Sequence, residues 1–157
     1  MKIKLVSVGK PRRSELLSLT EDFFKRIPHY MPFEAVVIPD VKAGRNASEA
    51  EIKRREGELI LAQAGGGDRL VLMDERGREF TSREFAAWIE RHSISVPGSL
   101  IIVIGGPYGF SEAVYARADE KISLSRMTLT HEMARLFAAE QLYRAMTILR
   151  GEPYHHD

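Results

Sequence analysis

The 157-residue chain contains no cysteine. That absence removes disulfide frameworks, thiolate nucleophiles and the sulfur ligands common in structural zinc sites. No apolar run approaches the length of a bilayer span, and Met1 leads directly into an amphipathic strand pattern rather than a charged segment followed by an apolar one. The expectation is a cytoplasmic, soluble protein with no membrane partner. Several catalytic signatures are also missing: no serine stands in GxSxG, and there is no GxxxxGK[ST], HExxH or EF-hand loop. Hydrolase, P-loop and metalloenzyme classes are therefore unsupported. The adjacent histidines of the terminal YHHD have no third ligand at a suitable spacing, so no metal is expected.

Charge is also nearly absent as a global signal, with a net value of +1. A strongly basic face is the usual footprint of nucleic-acid binding, so RNA is permitted here without being implied. Two local clusters, Lys10, Arg12, Arg13 and Lys53, Arg54, Arg55, suit either phosphate contact or a solvated face.

What is present is an alternation of strand and helix patterns without an internal repeat, a low-complexity tract or a linker, read as one domain over residues 1–157. KIKLVSV has the alternation of a first strand, and its following turn, GKPRR, lacks the GxGxxG of a dinucleotide-binding fold. Leu16, Leu17, Leu19, Phe23 and Phe24 give helical spacing that stops before Pro28, and PFEAVVIPD is a second strand. KAGRNAS reads as a mobile loop. Ser48 and Glu51 then form a capping box for a helix reaching the glycines 65–67.

RLVLMDE is a third strand whose continuous apolar centre suits burial on both faces. Asp74 at its end either caps the following turn or binds a ligand hydroxyl. Thr81 and Glu84 open a helix that sends Phe85, Trp88 and Ile89 to the core, and SLIIVIGG is apolar enough to be central. A short helix near 112–118, a brief strand KISLS and a final helix from His131 to Leu149 complete the chain. The order predicts a three-layer α/β fold around a parallel sheet of about five strands, with its ligand crevice beyond the carboxyl ends of the strands.

Three segments converge on that crevice: the end of LVLMDE, the turn within VIGGPYGFSE at residues 103–112, and the end of KISLSRMTL. A strand, a glycine turn and a helix capped by Ser111 make a ligand site, or merely a tight steric connection, and the stretch alone supports both. In the last helix Met133, Leu136, Phe137, Leu142, Met146 and Leu149 have core-facing or partner-facing spacing. Glu140 and Arg144, one turn apart, have the spacing of a surface ion pair. Residue patterns by themselves lead to an α/β domain with a ligand crevice and no further.

The combination of IGGPYG, SLSRMTLTHEMARLFAAEQLYRA and GEPYH, with KIKLVSVGK, DFFKRI, MPFE, EGELIL and LMDERG, resembles the RlmH family of the SPOUT superfamily along the whole chain. Thr130 stands where many members carry proline, and Tyr108 is a departure within the glycine turn; Thr130 retains the ability to cap a helix. The resemblance implies a C-terminal trefoil knot, a homodimer, and methylation at N3 of a pseudouridine in 23S ribosomal RNA of the assembled ribosome. The cofactor it implies is S-adenosyl-L-methionine. Carried onto this chain, cofactor contacts fall on Met73, Gly105, Gly106, Leu124, Ser125, Arg126, Met127, Thr128 and Leu129. Glu140, Arg144, His131, Tyr154 and His155 become the catalytic candidates, with the tail of one subunit expected to complete the site of the other. Two other readings stand beside this one: a SPOUT methyltransferase acting on tRNA, and a non-catalytic cofactor-binding or RNA-binding dimer.

Overall fold

In the computed structural model, residues 1–41 and 44–156 are described. Five strands form one sheet: β1 (Lys2–Val8), β2 (Phe33–Ile38), β3 (Arg69–Glu79), β4 (Ser99–Ile104) and β5 (Glu120–Ser123). Their order is β2-β1-β4-β3-β5, and every pairing is parallel, so SLIIVI is the central strand as its composition predicts. The helices are α1 (Ser14–Arg26), α2 (Glu49–Leu61), α3 (Ser82–Ser95), α4 (Glu112–Arg117) and α5 (His131–Leu149).

Burial on both faces explains why the strands are apolar at successive positions. Ile3 and Leu5 of β1, with Leu100 and Ile102 of β4, meet Phe85, Trp88 and Leu142 on one side. Val6, Val8, Ile101 and Val103 meet Ile60 of α2 and Val114 of α4 on the other. Each such side chain contributes roughly 1.5–3 kcal/mol on leaving water. The result is the expected three-layer arrangement, with α1, α3 and α5 against one face and α2 and α4 against the other.

The expected helix starts are present. Thr81 and Glu84 close a reciprocal capping box, and Ser111 and Thr130 accept from the amides of Val114 and Met133. Ser48 accepts from the amide of Glu51, but the return bond is replaced by an ion pair between Glu51 and Arg55 at 2.8 Å. α2 ends at Leu61, short of the glycines, and a 3-10 turn at Ile27–His29 follows α1 and takes in Pro28. Of the loop expected to be mobile at 42–48, residues 42 and 43 lie outside the described residues; 44–48 include a turn closed by Ala47 N donating to Gly44 O at 3.0 Å.

Two features depart from the sequence pattern. β3 continues past residue 75, and its register with β5 shifts between Met73 and Arg78, so residues 74–77 stand out as a ridge before the strand resumes. Glycine is required inside that ridge, because a Cβ on Gly77 would lie 2.6 Å from the backbone of Ile122. In α5 the expected apolar positions divide. Leu142 and Met146 are buried, whereas Met133 and Phe137 remain 42% and 39% exposed. Alanines 138, 139 and 145 line the buried stripe instead, and their small size lets α5 approach β1 and β4.

Candidate functional site

The parallel register places Met73 beside Ile104 and Ser7 beside Ile104, so β1, β4 and the stretch of β3 paired with β4 end at one level. Beyond those ends lies a cavity of about 630 Å³, within the range of small-molecule sites. Met73, Gly105, Gly106, Leu124, Ser125, Met127, Thr128 and Leu129, the residues carried over as cofactor contacts, all line it. Arg126 does not line the cavity; its side chain points outward and pairs with Glu79 of the ridge at 3.3 Å.

Gly105 and Gly106 have a physical reason that sequence could not supply. A Cβ on Gly105 would lie 2.9 Å from the ring of Phe110, and one on Gly106 would lie 2.8 Å from both carboxyl oxygens of Glu56. The space a side chain needs is already filled by the protein, so bare backbone forms this wall of the cavity. Together with Met73, Ile104, Leu124 and Leu129, the wall offers an apolar slot flanked by main-chain donors and acceptors, a chemistry that fits an adenosine bearing a methionine chain.

Asp74, Glu75 and Arg76 of the ridge also line the cavity. Asp74 accepts from the amide of Arg76 at 2.9 Å and from the hydroxyl of Tyr115 at 2.6 Å, so it caps the turn that follows it. Burial pushes its carboxyl up, but the hydrogen bonds from Tyr115 and Arg76 outweigh that and bring it down to about 2. Thr128 donates to Glu75 at 2.8 Å, and with the Arg126–Glu79 pair this joins the ridge to the loop 124–130. Asp74 of the ridge was a candidate from sequence, whereas Glu75, Arg76, Phe110 and Tyr115 were not, because their places at the cavity depend on tertiary packing.

Of the catalytic candidates, His131 lines the cavity and the other four do not. Its Nε2 is buried, lies 3.4 Å from where a Cβ on Gly9 would be, and has no hydrogen-bond partner among the described residues. Gly9 has φ +100°, a conformation that glycine adopts without strain. Next to it, the amides of Arg12 and Arg13 both donate to Glu132, pinning the basic loop 10–13 beside the start of α5.

Glu140, Arg144, Tyr154 and His155 form a cluster of their own. Arg144 donates to Glu140 at 2.6 Å and lies 3.1 Å from Nδ1 of His155. Tyr154 donates to Glu140 at 2.9 Å, and its ring lies under the guanidinium, 4.8 Å from the centroid. Burial and Glu140 push the Tyr154 phenol up, so it acts as a donor at neutral pH. The tail is anchored behind it by the Tyr30 hydroxyl donating to Glu152 at 2.8 Å, which pushes Tyr30 up to about 12. Glu140 and Arg144 are thus half-buried and four-membered in company, more than the isolated surface pair their spacing allows. Nine residues of helix separate Glu140 from His131, roughly 13 Å along the axis.

Among the described residues no three His, Cys, Asp or Glu converge to hold a metal ion, and no helix is long and apolar enough to cross a membrane.

A family model described as "Predicted SPOUT methyltransferase" matches residues 1–155. Ribosomal RNA large subunit methyltransferase H of Parabacteroides distasonis is 54% identical over 157 residues, covering 100% of both chains. The protein of the same name from Christiangramia forsetii is 52% identical over 156 residues, 99% of each chain. Two solved structures share the fold at low identity. A probable methyltransferase from Bordetella pertussis has a TM-score of 0.56 at 17% identity, covering 92% of this chain and 96% of that one. A tRNA (m1G37) methyltransferase from Aquifex aeolicus has a TM-score of 0.56 at 14% identity, covering 100% of this chain and 76% of that one. From its α/β architecture, its glycine-walled cavity and these matches along its length, the chain belongs to the SPOUT methyltransferase family.

Proposed function

We propose that the chain is one S-adenosyl-L-methionine-dependent methyltransferase domain that acts in the cytoplasm as a homodimer and methylates N3 of a pseudouridine in 23S ribosomal RNA of the assembled ribosome. The observation that carries this reading is the cavity whose wall is the bare backbone of Gly105 and Gly106, in a chain 54% identical along its length to a protein named for ribosomal RNA methylation. That name favours ribosomal RNA over a tRNA substrate. Passage of the chain from β5 at one sheet edge, through the loop 124–130, to α5 beneath β1 and β4 is consistent with a trefoil knot.

When bound, S-adenosylmethionine supplies a methyl group on a cationic sulfonium. Met73, Ile104, Leu124 and Leu129 would exclude water around it, and residues 105, 106, 124, 125 and 127–129 would hold it for transfer of the methyl group to an ionised imide nitrogen. Positioning of this kind can lower a barrier by roughly 7–11 kcal/mol. Arg144 is the cation that would stabilise the imide anion, with Glu140 and Tyr154 fixing its plane and His155 beside it. Within one chain that cluster stands away from the cavity, so the reading requires the cluster of one protomer to meet the cavity of its partner. The exposed apolar residues Leu19 of α1 and Met133 and Phe137 of α5 support such an interface. Lys10, Arg12 and Arg13, held at the cavity edge through Glu132, would meet phosphate.

The direct test is transfer of labelled methyl from S-adenosylmethionine to ribosomes from cells lacking this modification, with the nucleotide mapped by mass spectrometry. Label at N3 of one large-subunit pseudouridine is the expected result. Label on tRNA alone, or none while cofactor still binds, would require the tRNA or the non-catalytic reading instead.

A further inference from the structure

Glu56 is buried within α2, and its Oε1 has no hydrogen-bond partner among the described residues. Its position follows from the residue after it. At Gly57 a Cβ would lie 2.6 Å from Ser111 Oγ and 3.1 Å from Val114 Cγ2, so α2 is drawn tightly against the start of α4. That approach brings Glu56 under the turn 105–107, where both of its carboxyl oxygens sit 2.8 Å from the place a Cβ on Gly106 would occupy. Gly106 is cavity wall. One stretch of backbone without a side chain therefore separates this carboxyl group from whatever fills the cavity.

A buried carboxyl without a partner is unfavourable for the fold, and glutamine or an apolar residue would be easier to accommodate. Burial, and then the charge of Asp40 beyond the end of β2, push its pKa up. Asp40 is itself 3.7 Å from Arg12; the facing residues of α4, Ser111 and Val114, carry no charge, and neither do Gly105, Gly106 and Pro107 of the turn. Among the described residues no cation of the protein pairs with Glu56, and a positive charge arriving in the cavity would supply the partner it lacks.

Resting on the cofactor reading above, we propose that Glu56 is the counter-charge of the cavity, set behind Gly106 so that the site holds a ligand bearing net positive charge and releases the neutral product left after methyl transfer. S-adenosylmethionine carries the sulfonium charge and S-adenosylhomocysteine does not. The carboxyl thereby favours exchange of product for fresh cofactor without touching either.

The test is titration calorimetry of the full chain and of Glu56→Gln with S-adenosylmethionine, S-adenosylhomocysteine and an analogue bearing a protonated amine in place of the sulfonium. Glu56→Gln should weaken the two cationic ligands by about tenfold, the change that one pKa unit of lost coupling represents. Its affinity for S-adenosylhomocysteine should stay within about twofold, and its thermal midpoint should be no lower than that of the parent. Equal weakening of all three ligands by Glu56→Gln would show a structural role and overturn the proposal, as would unchanged affinity for all three. A parent chain that binds none of the ligands would overturn the cofactor reading itself, and the role of Glu56 with it.

Discussion

The hydroxyl of Tyr115 donates to Oδ2 of Asp74 at 2.6 Å, tying the helix after the glycine turn to the ridge across the cavity. Because Asp74 is held at about 2 against an ordinary value of 3.8, it contributes stability that is present above about pH 4 and is lost as pH falls toward 2. Tyr115→Phe should cost about 1–2 kcal/mol at pH 7. Denaturant unfolding of parent and variant at pH 7 and again near pH 2 checks this: the gap between them should shrink in acid, as Asp74 takes up its proton.

Gly105→Ala places a methyl group 2.9 Å from the Phe110 ring, which is itself buried beneath the turn. Overpacking of this kind costs about 1–3 kcal/mol. The variant should remain folded by circular dichroism but bind S-adenosylmethionine much more weakly, since the turn must shift to relieve the contact. Unchanged binding by calorimetry would mean that the turn does not form the cofactor wall.

Removal of residues 152–157 deletes Tyr154 and His155 from the Glu140–Arg144 cluster and frees Tyr30 from Glu152. Methyl transfer should be lost while cofactor affinity is retained, because none of these residues lines the cavity. Mixing the truncated chain with Gly105→Ala under conditions of subunit exchange should restore part of the activity. Recovery is the signature of a site shared between two protomers; its absence, with exchange verified, would place cavity and cluster in one chain's service.

Glu120 receives Trp88 Nε1 at 3.1 Å and Arg69 Nε at 2.9 Å, with His92 Nε2 at 2.7 Å. This network lies at the starts of β3 and β5, the end of the sheet opposite the cavity. Glu120→Ala leaves buried donors without an acceptor and should cost about 2–3 kcal/mol. The same variant, assayed where it is folded, should keep its cofactor affinity, which separates destabilisation from damage to the site.

Much of the site was legible as a set of segments. Strand ends, glycine turns and helix starts are announced by residues within a few positions of each other, so the convergence of the end of LVLMDE, the glycine turn and the end of KISLSRMTL followed from a parallel sheet and its carboxyl-end crevice, while the individual residues came from the family resemblance. The outward direction of the Arg126 side chain had no local signal, because it depends on Glu79, which the irregular β3–β5 pairing places beside it. Tyr154 and His155 could be singled out as candidates, but their company with Glu140 depends on how the tail folds back along α5.

Local sequence determined the elements of this protein: period-two and continuous apolar runs made five strands, and Thr81, Ser111 and Thr130 started three helices with their own hydroxyls. These effects act over a handful of bonds, so they need no knowledge of the rest of the chain. The tertiary structure alone decided that Phe110 and Glu56 fill the spaces behind Gly105 and Gly106, that the ridge 74–77 stands over the cavity, and that the Glu140 cluster lies apart from it. Those relationships join residues up to fifty positions apart through the packing of α2 on α4 and of β3 on β5, and close packing of that kind is a property of the assembled fold rather than of any segment within it.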